Sequence, residues 1–276
     1  MVSVRKFDGS IEPYDKQKVM LFCLKMGASK EEAEMIANKI ETYLYNEIPT
    51  KKIRQMASQY LKQHVPETRI RRDLRYAICL LRPKPDWEHF VQLFMKNQGY
   101  GVEGNKILRG RCVENEIDGI LRKNAQILML EVKHHFDPHI KTSLDIPRQV
   151  WATYSDLTEG FKLAHHNVNF TGAMIVCNTK FSEESKKYAS CQGIEHMSWK
   201  NPVERGLEVL IEEEKFYPVT LLREVDKATE AILGDNGIIL LRQLLDTDAE
   251  KLSLTTGLDL LRSKSIIVNA EKIMLN

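Results

Sequence analysis

Two runs near the middle of the chain set the frame for the rest. ENEIDGILR at 114–122 and QILMLEVKH at 126–134 both read as strands. Joined around Lys123-Asn124, they are expected to pair as an antiparallel hairpin. Side chains alternate along a strand, so Glu131 and Lys133 fall on one face and Val132 on the other. The apolar stretch from Ile127 to Leu130 makes the second strand a buried, central one. A carboxylate and an ammonium at the end of such a strand are costly unless they are paired or used.

Helical and strand-like runs alternate around this hairpin. DWEHFVQLFMKNQG precedes it as a helix; IPRQVWATYSDLTEGFKLAHH follows as another, then the strand TGAMIVCN, the helix SEESKKYASCQ and a short strand in GIEHMSW. Pro83-Lys84-Pro85 is a stiff break, expected to be a linker. Before it, VSVRKFDGSIEPYD reads as a strand pair turning at Asp8-Gly9, followed by four helices, the last in RIRRDLRYAICLL. Residues 201–276 read as almost wholly helical, broken at Gly234-Asp235-Asn236-Gly237. The expectation is a multi-domain α/β chain in three blocks, 1–83, 84–200 and 201–276.

A net charge of +2, with 28% charged and 43% hydrophobic residues, excludes a disordered chain and a bulk polycation. No apolar run approaches the ~18–20 residues of a membrane span, and MVSVRKFDGS lacks a signal-peptide core. The five cysteines are scattered, with no C-x-x-C, and read as buried thiols. These features predict a cytoplasmic protein with no membrane partner. The charge is nevertheless segregated. Residues 51–85 hold ten Lys/Arg against Glu67 and Asp73, whereas 201–276 hold nine Lys/Arg against fourteen Asp/Glu. Either an anionic partner is met locally, with Arg69, Arg71, Arg72 and Arg75 as candidate DNA contacts, or the two segments meet each other.

The chemistry of Asp118, Glu131 and Lys133 suits phosphodiester hydrolysis. Two carboxylates from adjacent strands, with the Val132 carbonyl, supply the hard oxygens that Mg²⁺ (or Mn²⁺) prefers. Such an ion polarises a phosphoryl oxygen and lowers the pKa of an attacking water. Lys133 is placed to orient that water and offset transition-state charge. The order of motifs resembles the PD-(D/E)XK nuclease superfamily, above all its Mrr-like restriction endonuclease and Holliday-junction resolvase branches. The motifs are Glu88 ahead of Gly99-Tyr100, EIDGIL with Asp118, LEVK with Glu131 and Lys133, a helix carrying Gln149, and GAMIVCNTKFSEESKKYA. The resemblance implies a restriction-endonuclease-like fold with a mixed central sheet, Asp118 and Glu131 as metal ligands, Lys133 serving the water, and Glu88 and Gln149 as accessories. Cys177-Asn178-Thr179 departs from the usual threonine after the buried strand. His134, His135 and His139 match no zinc spacing and are expected to be solvated loop residues.

No Walker or Rossmann fingerprint occurs. Instead Lys6, Glu12 and Lys18 cluster on the first hairpin and the start of the next helix, where free N–H groups and lysines suit a phosphate. VRKFDGSIEPYDKQKV resembles the ATP-cone, the allosteric nucleotide domain of ribonucleotide reductases and of their repressor, at Val4, Lys6, Asp8, Gly9, Glu12, Tyr14, Asp15, Lys18 and Val19. The resemblance implies ATP or dATP, with Lys6 and Lys18 on phosphates and Val4, Glu12 and Asp15 lining base or sugar. Phe7 stands where the family has arginine. At the far end, the Thr256-Gly257 turn between helices looks like a degenerate helix-hairpin-helix; a helical cap or dimerisation bundle is the other reading.

Together these readings predict a Mg²⁺-dependent DNA endonuclease with a nucleotide-sensing cone, dimeric if it breaks both strands. The alternatives are a nucleotide-responsive DNA-binding regulator without cleavage, and a junction- or repair-specific nuclease whose cone is structural.

Overall fold

A computed structural model describes residues 2–275. The chain forms two compact units, each drawn from separated stretches. One comprises 1–73, 220–226 and 244–276, and the other 74–219 and 227–243. Neither follows the expected blocks: 74–83 belong with the sheet, and 201–276 are shared.

In the first unit, β1 (Ser3–Arg5) and β2 (Ile11–Pro13) form the expected hairpin, with Val4 opposite Glu12 and Gly9 at φ +81° in the turn. Asp15 caps α1 (Lys16–Lys25), its Oδ1 accepting from the Gln17 amide. Ser29 and Glu32 form a reciprocal capping box at the start of α2 (Lys30–Glu41). A two-residue strand, β3 (Ile48–Pro49), runs parallel to β1 and leads into α3 (Thr50–His64). The core of this part joins Val4, Val19, Cys23, Ile36, Ile40, Ile48 and Leu61.

The fourth expected helix is mostly absent. A helical turn covers Pro66–Arg69, and α4 spans only Leu74–Cys79, in the second unit. Between them Arg71 bridges Leu222, with the Arg72 amide donating to Leu221 O and the Arg223 amide to Ile70 O. Backbone pairing with a segment 150 positions away outweighs a helical side-chain pattern here. Arg72 completes the junction by donating to the carbonyls of Thr220, Leu222, Arg223 and Val225. Past 243, α11 (Ala249–Thr256) ends at Gly257 (φ +74°) and α12 (Leu260–Leu275) follows.

The second unit is built on a five-stranded mixed sheet of order β10-β8-β6-β5-β4. Its members are β4 (Gly101–Arg109), β5 (Glu114–Lys123), β6 (Gln126–Lys133), β8 (Gly172–Cys177) and β10 (Glu195–Met197). The first three pair antiparallel, and β6, β8 and β10 run parallel. A two-stranded ribbon joins β7 (Lys141–Thr142) to β9 (Lys180–Phe181). Between β7 and β8 the chain crosses through α6 (Asp145–Lys162), as a parallel connection requires. One core layer sets Met129 and Ile175 against Val150 and Leu157 of α6 and Ala189 of α7 (Glu183–Cys191).

Pro83–Trp87 is a distorted helical turn rather than a linker, with Asp86 and Trp87 buried, and it leads into α5 (Glu88–Asn97). Phe216 packs edge-on to Phe90 and Phe94 of α5, at ring-centroid distances of 5.4 and 5.5 Å. It follows α8 (Leu207–Glu213), while α9 (Lys227–Asp235) and α10 (Leu241–Leu245) come later in the chain. Arg82 pairs with Asp86, Glu230 and Asp235. Of the cysteines, Cys23, Cys79 and Cys177 are buried as expected, but Cys112 and Cys191 are exposed. Among the described residues no helix is long and apolar enough to cross a membrane.

Candidate active site

Asp118 sits mid-strand in β5, one step beyond the Gly119–Leu130 pair, and so lies across from Glu131 of β6. Its Oδ2 accepts from the Val132 amide at 2.7 Å. Only 7% of Asp118 is exposed, and burial, with the repulsion of Glu131, pushes its carboxyl up to about 7 despite that hydrogen bond. Lys133 Nζ lies 2.6 Å from Glu131 Oε1. The Lys133 carbonyl is held by the Trp87 indole N–H at 3.1 Å, which fixes the end of β6. Asp118, Glu131, Val132 and Lys133 are therefore gathered as the hairpin register demands.

Glu88 joins them from the first turn of α5. It is buried, with Oε2 accepting from Asn105 Nδ2 at 2.8 Å and Oε1 3.1 Å from Lys84 Nζ. Gln92, one turn on, donates to Asn105 Oδ1 and to the Asp118 carbonyl, tying α5 to both strands. Lys84 also approaches Glu116 and Asp118, and these partners, Glu88 foremost, raise its pKa. Sequence reasoning missed Lys84 and Glu116; the signals were the i,i+4 spacing of Lys84 to Glu88 and the i,i+2 spacing of Glu116 to Asp118. Gln149, by contrast, is exposed in the second turn of α6, outside the hydrogen bonds that join the trio.

His139 is an exposed turn residue as expected, but His134 and His135 are not solvated. His134 is half-buried between Trp87 and Phe136, its Nε2 3.2 Å from Ile78 O, and burial lowers its pKa to about 4. His135 Nε2 meets Thr142 Oγ1 at 3.0 Å, and burial lowers its pKa too. Asn178, the departure after β8, explains itself: its fully buried amide accepts from the His135 N–H and donates to the His135 carbonyl, both at 2.8 Å. It clamps the chain two residues beyond Lys133.

On the first hairpin, Lys6 Nζ pairs with Glu12 Oε1, and Lys18 Nζ lies 3.7 Å from Glu12 Oε2. The three expected phosphate-site residues thus meet on one exposed spot, and the hydrogen bond from Lys6 chiefly lowers the pKa of Glu12. Val4 is buried in the core on the middle strand of the three-stranded sheet. Asp15 is committed to capping α1.

The arginines expected to grip DNA are not a solvated stripe. Arg72 is spent on four carbonyls, Arg75 donates to Pro138 O, and Arg71 is half-buried beside its backbone bridge. Arg69 is exposed, with its Nε on Lys62 O. A buried guanidinium that satisfies carbonyls is structural before it is electrostatic.

The ATP cone domain matches residues 2–77, and the AF1548-like, C-terminal family matches 217–274. An uncharacterized protein of Archaeoglobus fulgidus is 34% identical over 180 residues, covering 65% of this chain and 97% of that protein. A second uncharacterized protein of the same organism is 42% identical over 41 residues, 15% of this chain and 87% of its own. Among solved structures, the protein of unknown function AF1548 superposes with a TM-score of 0.59 at 32% identity, over 73% of this chain and 98% of its own. An N-terminal ATP cone, a mixed sheet carrying Asp118, Glu131 and Lys133, and a matched C-terminal region therefore describe one chain, and that chain belongs to the AF1548-like family.

Proposed function

We propose that the chain is a Mg²⁺- or Mn²⁺-dependent DNA endonuclease with a PD-(D/E)XK, restriction-endonuclease-like sheet domain, and that ATP or dATP bound at the cone governs it. The observation that carries this reading is the meeting of Asp118 and Glu131 across β5 and β6, with Lys133 against Glu131. Around them four carboxylates, Glu88, Glu116, Asp118 and Glu131, face two ammonium groups, Lys84 and Lys133. The surplus of two negative charges is what a divalent cation cancels. Asp118, Glu131 and the Val132 carbonyl are the hard oxygen donors to hold it. The ion would supply polarisation of a phosphoryl oxygen and a water of lowered pKa.

The chain's own groups do the remaining work. Lys133, held against Glu131, would orient the attacking water and offset charge developing on the phosphate. Asn178 and Trp87 keep the end of β6 from moving, which preserves that aim. Glu88 is an accessory acid. Arg69 is the candidate phosphate contact left on the basic stretch, where binding would weaken with salt. A cut in both strands requires two chains, since one site cuts one strand.

Supercoiled-plasmid cleavage in Mg²⁺, wild type beside Lys133→Ala and each with and without ATP, tests the reading. Nicking by the wild type alone is expected, with a rate that changes on adding ATP. Equal cleavage by Lys133→Ala would show that the assigned residues are the wrong ones.

A further inference from the structure

Lys84 enters the sequence only as the middle of a stiff triplet, yet in the fold its amine stands among acids. Nζ is 3.1 Å from Glu88 Oε1, 3.2 Å from Glu116 Oε1 and 3.9 Å from Asp118 Oδ1. Pro83 and Pro85 fix the backbone on either side, and a residue before proline is confined to extended geometry, as Lys84 is at φ −129°, ψ 134°. The Cα is thus pinned while the stem reaches out through solvent.

An ordinary surface ion pair has one acid and contributes little. Here two of the three acids are buried, Glu88 at 5% and Asp118 at 7% exposure, and buried carboxylates require a compensating cation. Lys133 does not serve them, because it is bound to Glu131. Positive charge is therefore wanted at two places: between Asp118 and Glu131, and between Glu88, Glu116 and Asp118. At the first, Lys133 meets Glu131 alone and leaves Asp118 without a close cation of its own; at the second, Lys84 meets Glu88 and Glu116 together and approaches Asp118. Glu88 and Glu116 each stand at ammonium contact distance from Lys84 Nζ, with Asp118 farther off.

We infer that Lys84 is the second cation of this site, a tethered ammonium held by Glu88 and Glu116 in the position where a two-metal nuclease keeps its other ion. The inference rests on the nuclease reading above. It assigns Lys84 to a phosphate oxygen of the bound strand, and it makes the enzyme a one-metal catalyst.

Mn²⁺ binding to the full chain, counted from free Mn²⁺ by electron paramagnetic resonance, tests this without relying on cleavage. The wild type and Lys84→Arg are expected to bind one ion per chain. Lys84→Gln is expected to bind two, as Glu88 and Glu116 close on a divalent ion in place of the ammonium. Lys84→Arg keeps the charge, so it separates an electrostatic role from damage to the fold, and a thermal melt of each variant checks the latter. One ion in Lys84→Gln, at any affinity, overturns the inference, and so do two in the wild type. No Mn²⁺ on the wild type, with none gained in Lys84→Gln, removes the nuclease reading itself, a result distinct from either of those.

Discussion

The cone and the sheet site both set lysines against glutamates, with opposite charge balance. On the cone two ammonium groups, Lys6 and Lys18, share one carboxylate, Glu12, all partly or well exposed to water. In the sheet four carboxylates share two ammonium groups, and two of the acids are buried. The cone lacks negative charge, which a nucleotide's polyphosphate would supply if it took over the lysines from Glu12. The sheet lacks positive charge, which a divalent ion would supply on the nuclease reading. Burial decides how sharply each deficit is felt: an exposed pair exchanges partners cheaply, whereas a buried acid titrates or recruits a cation.

Four experiments break or sharpen this contrast, the largest effect first. Asp118→Ala or Lys133→Ala should lower plasmid cleavage by about 10³-fold or more, with ATP affinity unchanged. A loss of ATP binding in those variants would end the separation of the two deficits. Arg72→Ala, which strips a donor from four carbonyls, should lower stability by about 3 kcal/mol in a denaturant titration. It should leave the salt dependence of DNA binding in place; a flattened salt slope without a stability loss would return Arg72 to the DNA surface.

Lys6→Ala and Lys18→Ala should each weaken ATP about tenfold in calorimetry, at no expense in Mn²⁺ binding. The remaining test is in pH. A folded-state pKa of about 7 against an ordinary 3.8 means that folding takes up a proton at Asp118 between those values. That contribution to stability is full below about 4 and is lost as pH rises through about 7. Relative to Asp118→Asn, the metal-free wild type should therefore lose Tm across that window. A saturating divalent ion should erase the difference.

Much of the sheet unit is legible because its signals are local. The β5–β6 reversal, the apolar run of β8 and the periodicity of α6 all follow from residues within a few positions of each other. β4 is not legible: it is a half-exposed edge strand with Gly101 and Gly104, and Gly119 opposite lets the Glu103 carbonyl approach to within 2.9 Å of where a Cβ would stand. Only the second half of the helix expected over 69–81 forms, as α4; its first half is lost because the backbone at 70–72 pairs with 221–223, and no window of sequence contains both. Of the site, Asp118, Glu131, Val132 and Lys133 could be placed by strand parity alone. Lys84 could not, because it reaches the acids through a proline-fixed turn that reads as a break.

The way the chain is shared between its two units also dictates the order in which they are finished during synthesis. The core of the cone is complete by Val65, so it can collapse early from the ribosome. The carbonyls that Arg72 grips are not made until Val225, and the sheet unit still awaits 227–243 after that. A chain released anywhere before Val225 would leave both units unfinished, with the aromatic face of Phe90 and Phe94 uncovered if release came ahead of Phe216. The last fifth of the sequence is thus a quality check on everything translated before it.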